Sequence, residues 1–161
     1  MAAEAEEIIV VRSQLISLEG LRLILPNTAI AEVVAYKKPE IEDGKPEWFL
    51  GYTAWRGYRV PTVSYELMNG QPGAKPNKRN RIIVLNSITG DSERPFYGML
   101  STGIPRLMSI ETINIQNAPE IGEVGPLILR QVLVDGQAAI IPDQYELEAQ
   151  LKKHKLSVTA E

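Results

Sequence analysis

The chain has 161 residues, 44% of them apolar, with no cysteine, a single histidine and a formal net charge of −3. A chain of this length buries roughly 70% of its unfolded surface, so one domain can fold without a disulfide or a structural metal. The lack of cysteine excludes thiol nucleophiles and thiolate metal sites, and the mild acidity gives no electrostatic basis for binding nucleic acid.

The first residues, MAAEAEE, are acidic and small where a secretory signal would be basic and then apolar. No apolar run approaches the ~20 residues of a membrane span. Both features predict a cytoplasmic protein without membrane insertion. SQLISLEGLRLILP, Ser13 to Pro26, alternates apolar and polar residues around Glu19-Gly20, which predicts a β-hairpin. AWRGYRVP, Ala54 to Pro61, predicts a second one, with Gly57 taking the positive φ that Arg56 would resist. A short helical turn is expected over Ser64 to Met68. NGQPGAKPNKRN, Asn69 to Asn80, is too rich in Pro, Gly and Asn for a core strand, and Lys75, Lys78 and Arg79 make it basic. It reads as a solvated linker between two lobes, residues 15–76 and 80–142, each too small to be stable alone and so packed together.

Strands are expected at Arg81 to Leu85 and Phe96 to Ser101, and a long loop at QNAPEIGEVG, Gln116 to Gly125. LILRQVLVDGQAAIIP, Leu127 to Pro142, carries Asp135-Gly136 between apolar runs, a strong hairpin signal. A helix follows over residues 143–154. Asp143 is its N-cap, Glu146 suits a capping box, Leu147 and Leu151 share its inner face, and Glu148 is spaced to pair with Lys152. The fold class is all-β with a C-terminal helix.

Little in this pattern points to catalysis. His154 lies on the polar end of the last helix and is expected in solvent, with nothing to orient it as a base. One histidine and no cysteine leave no metal site, and with no GxxxxGK(S/T) or GxGxxG loop no cofactor is expected. The acids Glu40, Glu42, Asp43, Asp91 and Glu93 fall in loops, so a small carboxylate-dependent hydrolase is a minor alternative. A folded β protein with no reactive constellation is expected to work by binding. Arg56 stands out, because an arginine at a turn tip can offer its planar fork to carboxylates or helix-end carbonyls. Trp55 and Tyr58 flank it, and one of them is placed to stack on the guanidinium. Whether Trp55 belongs to the core or to an interface stays open, while Trp48 and Phe49 are expected in the core.

PEWFLGYTAWRGYRVPTVSYELMNG, Pro46 to Gly70, resembles the central signature of the CheW family of chemotaxis coupling proteins, with Gly51, Arg56, Gly57, Pro61, Val63 and Leu67 in register. The Glu32-Val33-Val34 segment, RIIVLN at Arg81 to Asn86, and GMLSTGIPRLMSIETINIQNAP at Gly98 to Pro119 extend the likeness in the family's order. Ala54-Trp55 stands where the family has Asn-Leu, and Ser101-Thr102-Gly103 replaces its Val-Asp stretch. The chain is therefore similar to a divergent branch, the adaptors of type IV pilus chemosensory systems. The resemblance implies two packed five-stranded SH3-like barrels without catalysis. It also implies two partners, a CheA-type histidine kinase regulatory domain and the cytoplasmic tip of a methyl-accepting chemoreceptor. By position, Arg56 and Gly57 would lie at the receptor groove, with Gly51 just before them and Glu32 nearby. The alternative is a stand-alone regulator of the same fold with another signalling partner.

Overall fold

The structure is a computed structural model and describes residues 9–118 and 125–161. The acidic N-terminus and most of the 116–125 loop fall outside these residues. The part of that loop inside them is not all coil, because Gln116 and Asn117 belong to a short strand.

The described chain forms β1 (Val10–Leu18), β2 (Leu21–Pro26), β3 (Ile30–Ala35), β4 (Phe49–Trp55), β5 (Tyr58–Val63), α1 (Tyr65–Met68), β6 (Arg81–Asn86), β7 (Phe96–Ser101), β8 (Arg106–Glu111), β9 (Ile115–Asn117), β10 (Ile128–Val134), β11 (Gln137–Pro142), α2 (Gln144–Lys153) and β12 (Thr159–Ala160). The hairpins at Glu19-Gly20, Arg56-Gly57 and Asp135-Gly136 all form where the sequence places them. At Asp135-Gly136 both turn residues take positive φ, 49° and 79°, the pattern of a type I′ turn, whose twist matches the strands it joins.

These strands build two six-stranded sheets. One runs β8-β1-β2-β11-β10-β9; the other runs β12-β5-β7-β6-β3, with β4 on β5. Each has one strand more than the five implied by the resemblance. The three-residue β9 and the two-residue β12 are too short to carry a period-two signal. The sheets also do not follow the two lobes expected on either side of residues 69–80. The first joins β1 and β2 to four strands from the second half, through a parallel pairing of β2 with β11. The second joins β3, β4 and β5 to β6 and β7, through a parallel pairing of β5 with β7. The 69–80 segment is a connection within the second sheet, from β5 and α1 to β6, and its composition could not distinguish that from a boundary between lobes.

One core explains why the sheets stay together. Ile16, Leu18, Leu23 and Leu25 from the first sheet meet Val63, Ile83, Leu85, Tyr97 and Met99 from the second, with Leu147 and Leu151 of α2 closing the cluster. Leu15 and Ile24, facing the other way, join Ile110, Val132, Val134 and Ala139 in a separate core inside the first sheet. Both faces of β1 and β2 are therefore covered, so Leu15 and Ile16 are buried as neighbours and strict alternation fails there. Helix α1, capped by the Ser64 hydroxyl accepting from the Leu67 N–H at 3.3 Å, adds a polar link between the sheets. The Tyr65 hydroxyl donates to the Leu127 carbonyl at 2.6 Å, and the Asn69 side-chain carbonyl accepts from the Leu127 N–H at 2.9 Å.

Helix α2 begins as expected, with Asp143 Oδ1 accepting from the Glu146 N–H at 3.0 Å. Two expectations fail in this helix. Glu146 does not close a capping box, because the Asp143 N–H is donated to the Leu127 carbonyl and Glu146 instead accepts from Gln150 at 2.8 Å. Glu148 does not pair with Lys152. It is only 4% exposed and accepts from the Ile88 N–H at 3.1 Å, the Thr89 hydroxyl at 3.0 Å and the Ser87 hydroxyl. Burial against a neighbouring loop overrides the surface pairing that helical spacing suggests. His154 is also not free in solvent. It caps α2 half-buried, with its ring edge-on to Trp48 at 5.4 Å between centroids.

Glu66 on α1 is the second buried carboxylate, 2% exposed. One oxygen accepts from the Glu19 N–H at 3.2 Å, and the other has no partner among the described residues. Burial raises its pKa above the ordinary 4.5, and the nearby charge of Glu19 adds to the rise while backbone N–H groups oppose it. A raised folded-state pKa means that the folded chain holds a proton that the unfolded chain has released. Stability from this group is complete at low pH and falls as pH climbs from 4.5 through the raised value. Glu66→Gln, which cannot ionise, is therefore expected to gain stability relative to the parent chain as pH rises. Urea denaturation of both proteins at about pH 4 and about pH 7.5 measures this, and a stability difference independent of pH would count against it.

Candidate functional site

The β4–β5 hairpin brings most of the candidate residues together. Trp55 and Tyr58 are the last cross-strand pair, and Arg56-Gly57 forms a two-residue turn between them. Both turn residues have positive φ, 48° at Arg56 and 81° at Gly57. The expectation that Gly57 alone would take this conformation is corrected, since a type I′ turn requires it at both positions. For a non-glycine residue that conformation costs about 1 kcal/mol.

The side chain of Arg56 is held in spite of its exposure. Its Nη2 donates to Glu32 Oε1 at 2.6 Å, and its guanidinium lies 5.0 Å from the centroid of the Trp55 ring. The two charged side chains remain 65% and 38% exposed. Such a surface pair contributes at most ~1 kcal/mol of stability, so its main effect is to orient the fork. Trp55 itself is 7% exposed and packs with Val60 and Val84, its ring edge-on to Phe96 at 5.0 Å. That answers the question left open by the sequence: Trp55 is a core residue whose upper surface carries Arg56. Its indole N–H has no acceptor among the described residues. Tyr58 stays 44% exposed beside the turn.

Gly51 lies elsewhere. It sits five residues earlier on β4 with φ 129°, against the backbone of Glu40, whose N–H and carbonyl both bond to Tyr52 at 2.8 Å. Its role is to let this segment close on the strand. Trp48 and Phe49, expected in the core, pack there.

Two features of this region were not singled out from the sequence. Arg59 lies 4.3 Å above the Tyr52 ring and pairs with Glu40 at 3.5 Å, while the Tyr52 hydroxyl donates to Glu42 at 3.0 Å. Burial, then the bond to Glu42 and its charge, raise the Tyr52 pKa against the opposing charge of Arg59. The hairpin register that pairs Ala54 with Arg59 would have placed Arg59 diagonal to Tyr52. The second feature is a groove of about 530 Å³ between the 89–92 loop and α2, lined by Asp91, Glu148 and Lys152 among others. Its two carboxylates are already engaged. Glu148 holds the loop, and Asp91 accepts from the Glu93 N–H at 3.0 Å and pairs with Arg94 at 3.0 Å. Those two contacts, the N–H first, hold the Asp91 carboxyl below its usual range. Neither acid is free to serve a hydrolytic pair.

The family model of the CheW-like domain matches residues 12–150, nearly the whole chain. The chain belongs to the CheW-like domain family. Among solved structures, this CheW-like domain is similar to the crystal structure of the scaffolding protein TtCheW from Thermoanaerobacter tengcongensis. The TM-score is 0.69 at 17% identity, over 88% of this chain and 90% of that one. At that identity the likeness speaks to fold, and it agrees with the two-sheet architecture. Among curated proteins, none matches by sequence. Family and fold together support a scaffold or adaptor role in chemotaxis signalling. No helix among the described residues is long and apolar enough to cross a membrane.

Proposed function

We propose that this CheW-like domain is a non-enzymatic cytoplasmic adaptor that couples a methyl-accepting chemoreceptor to a CheA-type histidine kinase, in a chemosensory system of the type IV pilus kind. The observation that carries the reading is the family match over residues 12–150. The hairpin geometry supports a contact at Arg56. Its guanidinium is presented on a rigid two-residue turn and stacked on a buried indole, and among the described residues its ion pair is with the half-exposed Glu32. A carboxylate or helix-end carbonyl of the receptor tip can share that fork with Glu32 or replace it. Tyr58 adds an exposed aromatic beside the turn, and Arg and Tyr are residue types that dominate interface energies.

The test is reconstitution of the chain with a receptor cytoplasmic fragment and a CheA-type kinase. Arg56→Ala is expected to weaken receptor or kinase binding roughly tenfold, about 1.4 kcal/mol. Its unfolding free energy should stay within about 1 kcal/mol of the parent, because the pair is exposed. If the parent chain binds neither partner, the coupling role is wrong. The same fold would then serve as a stand-alone regulator of another signalling component.

A further inference from the structure

One end of the second sheet carries a concentration of positive charge that the chain's net charge of −3 conceals. β3 and β6 are antiparallel, and their last pair is Ala35 with Arg81. Continuing that register brings Lys37 and Lys38, just beyond β3, beside Lys78 and Arg79, just before β6. All four are exposed, and none forms an ion pair among the described residues.

The turn that displays Lys78 and Arg79 is a built one. Asn77 Oδ1 accepts from the Arg79 N–H at 2.8 Å, and the Asn77 N–H is bonded to Asn80 Oδ1. Asn80, 2% exposed, donates to the Ser101 carbonyl at 2.8 Å. Arg81 Nη1 donates to the carbonyls of Lys78, Arg79 and Asn80, at 3.3, 3.3 and 2.9 Å. The 69–80 segment thus ends in a pinned basic turn, where the sequence suggested a solvated linker.

Beside this turn lies a groove of about 400 Å³ whose lining includes Val34, Lys37, Lys38, Tyr52, Ala54 and Arg59. Its carboxylates are Glu40, already paired with Arg59, and Glu161. The groove also has a strand edge. β3 pairs with β6 and β4 with β5, so among the described residues no ladder joins β3 to β4. The Tyr52 N–H and carbonyl point away from β5 and bond to Glu40. By alternation those of Ala54 point the same way, into the gap.

The geometry points to a docking surface for an extended, Asp/Glu-rich peptide segment of a protein partner. The segment lies in the groove, adds to the free β4 edge at Ala54, and sets its carboxylates against Lys37, Lys38, Lys78 and Arg79. The edge decides in favour of a peptide, because strand addition needs backbone donors and acceptors that a lipid surface or a nucleic acid lacks. This surface stands on charge placement and strand geometry and does not depend on receptor or kinase coupling.

A fluorescein-labelled, Glu-rich extended peptide tests it by anisotropy at low salt and at about 0.15 M salt. The chain carrying Lys37→Glu, Lys78→Glu and Arg79→Glu is expected to bind the peptide roughly tenfold more weakly than the parent. A control with Lys152→Glu, Lys153→Glu and Lys155→Glu makes the same net-charge change at the end of α2 and should bind like the parent. The Ala54 amide resonance should shift on titration of the parent chain. All six substituted side chains are exposed, so both variants should keep the parent's circular dichroism. No binding by the parent, equal loss in both variants, or tighter binding to phosphatidylserine vesicles or an oligonucleotide than to the peptide would each overturn the assignment.

Discussion

Replacing Glu148 with alanine is expected to lower the unfolding free energy by about 3 kcal/mol. The side chain is 4% exposed, and its two oxygens accept from one backbone N–H and two hydroxyls of the Ser87–Thr89 segment. Alanine leaves those donors facing a hole on the inner side of a helix whose Leu147 and Leu151 are fully buried. The effect should extend along the loop, because the same segment leads to Arg94. That residue, 6% exposed, donates from Nε to the Leu156 carbonyl at 3.0 Å, while the Glu93 carbonyl accepts from the Val158 N–H at 3.0 Å. Glu148 thus lies at the start of a polar chain that fastens the C-terminal segment. Glu148→Gln keeps the shape but has only one acceptor oxygen, so a loss of about 1.5 kcal/mol is expected from it. Urea denaturation measures both, and hydrogen exchange at the Ile88 amide should accelerate in the alanine variant. A loss below about 0.5 kcal/mol for Glu148→Ala would show that the carboxylate does not hold the loop.

What was legible in the sequence and what was not divide along a physical line. The three hairpins were readable because each is set by a short local signal, an X-Gly pair between apolar runs, and all three turns form there. The N-cap of α2 and its Leu147–Leu151 face were readable for the same reason. The interleaving of the sheets was not, because the parallel pairings β2–β11 and β5–β7 join segments far apart in the chain. Glu148 and Glu66 were missed because a carboxylate on a short amphipathic stretch looks the same whether it meets water or a loop. In the candidate site, Arg56, Gly57, Trp55 and Tyr58 are adjacent by sequence, so their meeting required only the turn. The contact from Arg56 to Glu32 spans 24 residues, and only the family resemblance had put the two in one neighbourhood. The resemblance gave no reason for Gly51; its surroundings do.

Gly51→Ala should destabilise the chain by about 3 kcal/mol or more, which would mark Gly51 as a packing residue rather than a partner contact. Two independent effects add here. The φ of 129° lies in a region that side-chain-bearing residues rarely adopt. A methyl group would also run into the Glu40 carbonyl, coming within 2.7 Å of its carbon and 3.0 Å of Pro39 Cβ. Those atoms are backbone or ring atoms and cannot swing aside. Relief requires the Glu40 segment to leave β4, breaking both of its bonds to Tyr52 and the Arg59–Glu40 pair beside them. Gly57 supplies the comparison, because its φ is 81° but no atom lies within 4 Å of a built Cβ. Gly57→Ala therefore carries conformational strain alone, about 1 kcal/mol. Denaturant midpoints of the two variants, measured side by side, separate the terms. Equal losses would mean that the close approach of Glu40 contributes nothing. A Gly51 variant that stays folded at low temperature and still binds the partners of the parent chain would assign the residue to the fold. Arg56, five positions along the same strand and turn, would then be left as the contact.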